Sequence, residues 1–184
     1  MMKYFVMGIV MAVGLFAGEC TYSVKDIDVE WKAYKTPLKI GVGGTFDAIK
    51  LNAMPDKTEK GLLEGARVVI DTRSVDSKNK GRDAKLVKFF FHIQGVETIT
   101  AEIKSIEKDV ANVEVTMNGI TKIVPMKVEF DEDEVQAEGY LDLGDFDMLP
   151  SLESINKACY DLHKGKTWQD VKIAFDIKTK RRCQ

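Results

Sequence analysis

Residues 68–91 read VVIDTRSVDSKNKGRDAKLVKFFF. The opening Val68-Val69-Ile70-Asp71-Thr72 is a β-branched run that Ser74 and Asp76 interrupt, so a strand here enters a turn. A polar, lysine-bearing loop follows, and Asp83 stands in the position of a helix N-cap before Ala84, Leu86 and Val87. Phe89-Phe90-Phe91 closes the segment. Three consecutive rings cannot share one face of a regular element, so they must cover something from more than one side. The end of an apolar cavity meets that requirement.

Moving outward, the chain alternates apolar and polar residues in run after run. Ile27, Val29, Trp31 and Ala33 share one face of a half-buried strand whose other face is charged. Residues 40–53 form a second strand with a bend or bulge at Gly41-Val42-Gly43-Gly44, and residues 66–72 a third. Ile99, Ala101 and Ile103 mark the fourth, and Val113, Val115 and Met117 the fifth. Asn118-Gly119 then signals a hairpin into residues 124–130, where Pro125 needs an edge or a bulge. Val135, Ala137, Gly139, Leu141 and Leu143 give a seventh strand, and Val171, Ile173, Phe175 and Ile177 an eighth. Between these last two, residues 151–163 place Leu152, Ile155, Ala158, Cys159 and Leu162 at helical spacing. Eight antiparallel strands with one late helix over the rim predict an all-β closed barrel, because closure removes exposed edges. A barrel of that size holds either side chains or one small ligand.

A chain of 184 residues, 45% of them hydrophobic, supports one domain with a sizeable core. Met1-Met2-Lys3 followed by an apolar run over residues 4–16 and Ala17-Gly18 has the outline of a secretory signal peptide. Residues 1–18 are therefore expected to be a signal and residues 19–184 the barrel domain, in the periplasm or secreted. Export makes Cys20, Cys159 and Cys183 candidates for one disulfide with one thiol left over. Cys20 meets Cys183 if the first and last strands are antiparallel neighbours; Cys20 meets Cys159 if the helix folds back over the rim.

A net charge of −2 leaves no long-range field to attract nucleic acid or an anionic membrane, and the basic clusters at Lys78, Lys80, Arg82 and at Lys178, Lys180, Arg181, Arg182 lack interleaved aromatics. No phosphate loop and no GxSxG elbow occurs. His92 and His163 have no identifiable residue to orient either as a base. No catalytic set, cofactor or metal site emerges, and the reading turns to a binding protein.

The central stretch, IDTRSVDSKNKGRDAKLVKFFF, resembles the YceI-like family, as do Gly44-Thr45-Phe46 and the hairpin Met117-Asn118-Gly119-Ile120-Thr121-Lys122. Lys85 stands where the family often has His, and Val96-Glu97 where it has Tyr-Pro, positions that bear on the ligand's polar end. The resemblance implies an eight-stranded lipocalin-like barrel enclosing a polyisoprenoid or a fatty acid or amide, with no enzymatic turnover and possible homodimers. The expected lining is Trp31, Phe46 and Ile70, Phe89 and Phe90, Ile103, Met117, Met126 and Val128, and Leu141, Ile173 and Phe175. Arg82, Lys85 or the loop at Lys164 and Lys166 are expected to hold the polar end, and Arg82 and Asp83 to form a structural ion pair.

Overall fold

The computed structural model describes residues 19–163 and 165–183. The expected signal segment lies outside them. One antiparallel sheet of ten strands curls on itself. Strand β1 is Cys20–Lys35, β2 Ile40–Phe46, β3 Ile49–Asn52, β4 Arg67–Asp71 and β5 Val75–Asp76. After them come β6 Thr98–Glu107, β7 Val110–Met117, β8 Ile120–Asp131, β9 Glu134–Asp142 and β10 Thr167–Cys183. The order across the sheet is β3-β4-β6-β7-β8-β9-β10-β1-β2-β5.

Ten strands replace the expected eight because two strand paths are each broken in the middle. β2 runs on into β3 through Asp47 and Ala48, and β4 into β5 through a 3-10 turn, Thr72–Ser74. The second break is built by side chains. Asp71 accepts the Arg73 N–H at 2.9 Å and grips its guanidinium, which holds the Asp71 carboxyl down at about 2. Buried Thr72 sends its hydroxyl to Val96 O at 2.7 Å, out of the ladder. Hydrogen bonds from Asp47 N to Ser74 O and from Asp71 N to Ala48 O, 3.0 and 3.1 Å, tie the two interrupted paths together. The ends of the strand order are thus joined by the chain itself.

β1 and β10 pair along nearly their whole length, from Cys20 opposite Cys183 to Lys35 opposite Thr167. That register forms the Cys20–Cys183 disulfide and leaves Cys159 as a buried thiol. Asn118 and Gly119 both take positive φ, 52° and 72°, as a two-residue hairpin turn between β7 and β8 requires. Pro125 sits where β8 ceases to pair with β9, whose ladder starts at Met126 opposite Gly139. A side chain on Gly139 would strike Pro125 O at 2.8 Å, so the strands can approach only over glycine.

Helices cover the two ends. α1, Glu59–Leu63, is capped by Thr58 and buries Leu62 and Leu63. It is fastened to the sheet by Gly65 N–H to Ile103 O and by Ile106 N–H to the Glu64 carboxylate. The opposite end carries α2, Lys80–Leu86, which continues as a π-turn, Val87–Phe91. The late helix is split at Cys159 into α3, Leu149–Ala158, and α4, Tyr160–His163. Gln94 clamps the start of α3: it accepts the Ser151 hydroxyl at 2.7 Å and donates to Asp147 O at 2.8 Å.

Asn79, not Asp83, caps α2, accepting the Arg82 N–H at 2.9 Å. Nor do Arg82 and Asp83 pair with each other. Both converge on Ser77: Asp83 accepts its N–H at 2.8 Å and its hydroxyl at 2.5 Å, while Arg82 donates to its Oγ and its carbonyl. Asp83 is only 7% exposed, so removing its carboxylate strands two buried donors. Asp83→Ala is expected to cost about 1–3 kcal/mol in urea unfolding, and Asp83→Asn, which keeps an acceptor, clearly less. Equal losses in the two variants would show that these hydrogen bonds do not hold the loop.

Candidate ligand-binding cavity

The interior has two zones. Toward α1 it is solid: Ile106, Ala111, Val113, Met126, Val128, Val135 and Ile177 are all under 5% exposed and join one core cluster. Toward α2 and α3 it is hollow, with a cavity of about 560 Å³. Strand alternation brings Val29, Trp31 and Ala33 of β1 and Val171, Ile173 and Phe175 of β10 to its wall. Val115 and Met117 face them from β7, and Leu141 from β9.

Phe46 reaches the cavity past Gly44, where any Cβ would meet Asp76 O at 2.6 Å and the Trp31 ring at 2.9 Å. Only glycine lets β2 pass between them. The π-turn splits the three phenylalanines. Phe91 is buried against Phe46, ring centres 6.4 Å apart, and Phe90 meets Phe91 edge-on at 5.0 Å while lining the cavity. Phe89 turns away from the cavity and lies under the Lys88 ammonium.

Eight of the twelve expected lining residues stand in the wall: Trp31, Phe46, Ile70, Phe90, Met117, Leu141, Ile173 and Phe175. Four do not. Phe89 is displaced by the π-turn. Ile103, Met126 and Val128 lie at the height of α1, in or against the packed core, with Met126 fully buried. The residues missed fall in two groups: strand neighbours with the same inward phase, such as Val29, Ala33, Val115 and Val171, and a helical set. Leu86 of α2 and the stripe Leu152, Ile155, Cys159 and Leu162 of α3 and α4 close one side of the hollow. Their helical spacing is plain in the sequence, but it marks only an apolar face, and what that face covers depends on the docking of the helix.

Polar groups gather at the mouth. Arg82, Lys85 and Asn79 reach it from α2, and Tyr34, Lys35, Thr167 and Trp168 from the ends of β1 and β10. Arg82 is held in place by its two bonds to Ser77, 2.7 and 2.8 Å. The Trp31 indole nitrogen is buried without a protein hydrogen-bond partner. His92 is exposed and outside the wall. Among the described residues no group of three or more His, Cys, Asp or Glu could hold a metal ion, and no helix is long and apolar enough to cross a membrane.

A family profile for the YceI-like domain matches residues 21–179. The chain belongs to the YceI-like family. Solved structures with the same fold include a polyisoprenoid-binding domain from Saccharophagus degradans implicated in plant cell wall breakdown. It is 11% identical, with a TM-score of 0.64 over 90% of this chain and 99% of that one. BcnA of Burkholderia cenocepacia is 16% identical, with a TM-score of 0.58 over 86% of this chain and 99% of that one. The YceI protein of Campylobacter jejuni is 16% identical, with a TM-score of 0.53 over 78% and 85%. Comparison of the sequence with curated proteins finds no match. At identities of 11–16% the likeness to these structures is one of fold.

Proposed function

We propose that this YceI-like protein is exported and holds one long amphiphile, a polyisoprenoid or a fatty acid or amide, as a carrier or store. The observation that carries the reading is the apolar cavity of about 560 Å³, open toward a polar mouth, in a barrel whose other end is solid. Such a space is within the range of ligand pockets, and it is walled by side chains that gain nothing from water. Each methylene of a bound tail contributes about 0.8 kcal/mol, so the tail needs no charged partner for affinity. At roughly 30 Å³ per water-sized group, the cavity takes a tail on the order of twenty carbons. Arg82 and Lys85 receive the polar end. Residues 1–18 act as the export signal in this reading, which suits a chain closed by a disulfide. No chemistry is assigned to the bound lipid, and homodimers are compatible with the reading but are not needed to complete the cavity.

The test is organic extraction of the purified protein followed by mass spectrometry. The expected result is one class of co-purifying amphiphile at near one per chain. Absence of both a co-purifying lipid and any uptake of added isoprenoids or fatty amides would overturn the proposal.

A further inference from the structure

The rim of the cavity mouth is both apolar and basic, on a chain whose overall charge is −2. The turn joining β1 to β2, Thr36-Pro37-Leu38-Lys39, is held out by positive φ at Thr36 and Lys39, 64° and 52°. It is anchored to the start of β10 by Thr36 N–H to Lys166 O and by the Trp168 indole N–H to Thr36 O, both 2.8 Å. At its tip Leu38 is 83% exposed. Across the same opening, Leu162 of α4 lines the cavity and is still 69% exposed. Single exposed leucines need no explanation, but two flanking one lipid-sized opening do.

Lysines surround them. Lys166 sits over the Trp168 ring at 4.3 Å, and Lys39 over the same ring at 4.6 Å. Lys35, Arg82 and Lys85 line the opening itself. The acidic groups there are few: Asp170 is bound to Lys39 at 2.9 Å, Asp161 lies on α4, and Glu30 stands deeper on β1. A leucine-tipped turn set among lysines, around the entrance to an apolar cavity, has the chemistry of a surface that enters the headgroup layer of an anionic bilayer.

We propose that the cavity mouth docks on anionic lipid bilayers, Leu38 and Leu162 entering the interface and the lysines facing the lipid phosphates. The tail then passes between bilayer and cavity without crossing water. The inference rests on the lipid-holding reading and adds to it the surface on which loading occurs.

The test is co-sedimentation of the protein, expressed from its full sequence with the disulfide intact, on phosphatidylcholine vesicles with and without phosphatidylglycerol. Uptake of a fluorescent fatty acid delivered from solution is measured in parallel. Binding is expected on the anionic vesicles, weakening with salt. Leu38→Asp should reduce it on the order of tenfold, and Lys166→Glu about fivefold or more. Uptake from solution should be unchanged in Leu38→Asp, since Leu38 does not line the cavity. Wild-type protein that takes up the fatty acid but ignores anionic vesicles, or a Leu38→Asp variant that binds them undiminished, overturns docking and leaves lipid holding intact. No uptake by any of the proteins overturns lipid holding and the docking role with it. A dimer in solution that Leu38→Asp dissolves gives this face to a second copy and overturns the proposal.

Discussion

Removing the Cys20–Cys183 bridge, by reduction or as Cys183→Ser, is expected to lower stability by about 5 kcal/mol at 25 °C. The two cysteines are 163 residues apart, so the bridge closes nearly the whole described chain into one loop. The stabilisation acts on the unfolded state, whose ends the bridge ties together. The folded state changes little, because β1 and β10 stay zipped by their ladder from Thr21 opposite Arg182 onward. Urea unfolding of oxidised and reduced protein measures the difference. A midpoint that does not move would mean that strand pairing alone restrains the ends. Cys159→Ser serves as the control, since that thiol lines the cavity at the far end of the barrel and is not in the bridge.

Ile173→Trp is expected to abolish most long-chain uptake with little change in melting temperature. Ile173 stands in the cavity wall, opposite Trp31 on one side and Gly139 on the other. A larger ring there grows into empty space rather than into packed atoms, so the overpacking cost is small. Excluding three methylenes of a tail at about 0.8 kcal/mol each removes ~2.4 kcal/mol, about fiftyfold in Kd. The matching control is Met126→Ala in the solid zone, which should cost about 2–5 kcal/mol of stability and leave uptake alone. Reversed outcomes, with stability lost in Ile173→Trp and uptake lost in Met126→Ala, would put the ligand at the wrong end of the barrel.

Those two substitutions also mark the border of what was legible beforehand. Trp31, Met117, Leu141, Ile173 and Met126 all show the same alternation, and all turn inward. A period of two reports which face a side chain takes and nothing about its height along the barrel axis. Height decides whether it meets the hollow or the core, and it is fixed by α1, five residues long, which plugs one end with Leu62 and Leu63. A helix that short leaves no periodic signal.

The strand count failed for a related reason. The break at Asp47-Ala48 falls inside what reads as one strand over residues 40–53, and the one at Thr72–Ser74 ends the run of residues 66–72 and leaves the two-residue β5 beyond it without a pattern of its own. The second depends on Thr72 reaching Val96 and Glu97, a contact between residues 24 and 25 positions apart. The three phenylalanines do cover the interior from several sides, but the π-turn puts Phe90 and Phe91 in the cavity wall, Phe91 also in the core, and leaves Phe89 packed against the core outside the wall. Composition cannot foretell an extra residue in a helical turn.

Local physics was enough for an antiparallel all-β chain, the Asn118-Gly119 turn, the inward faces and the family signature, because each rests on residues near in sequence or on strict alternation. Tertiary structure alone decided three things. The register of β1 on β10 brought Cys20 to Cys183 and left Cys159 as a buried thiol in the cavity wall. The seating of α1 divided the interior into a solid end and a hollow one. The docking of α2, α3 and α4 completed the cavity and gathered a basic mouth on a mildly acidic chain. All three come from contacts between segments distant in sequence, whose geometry exists only once the sheet has curled.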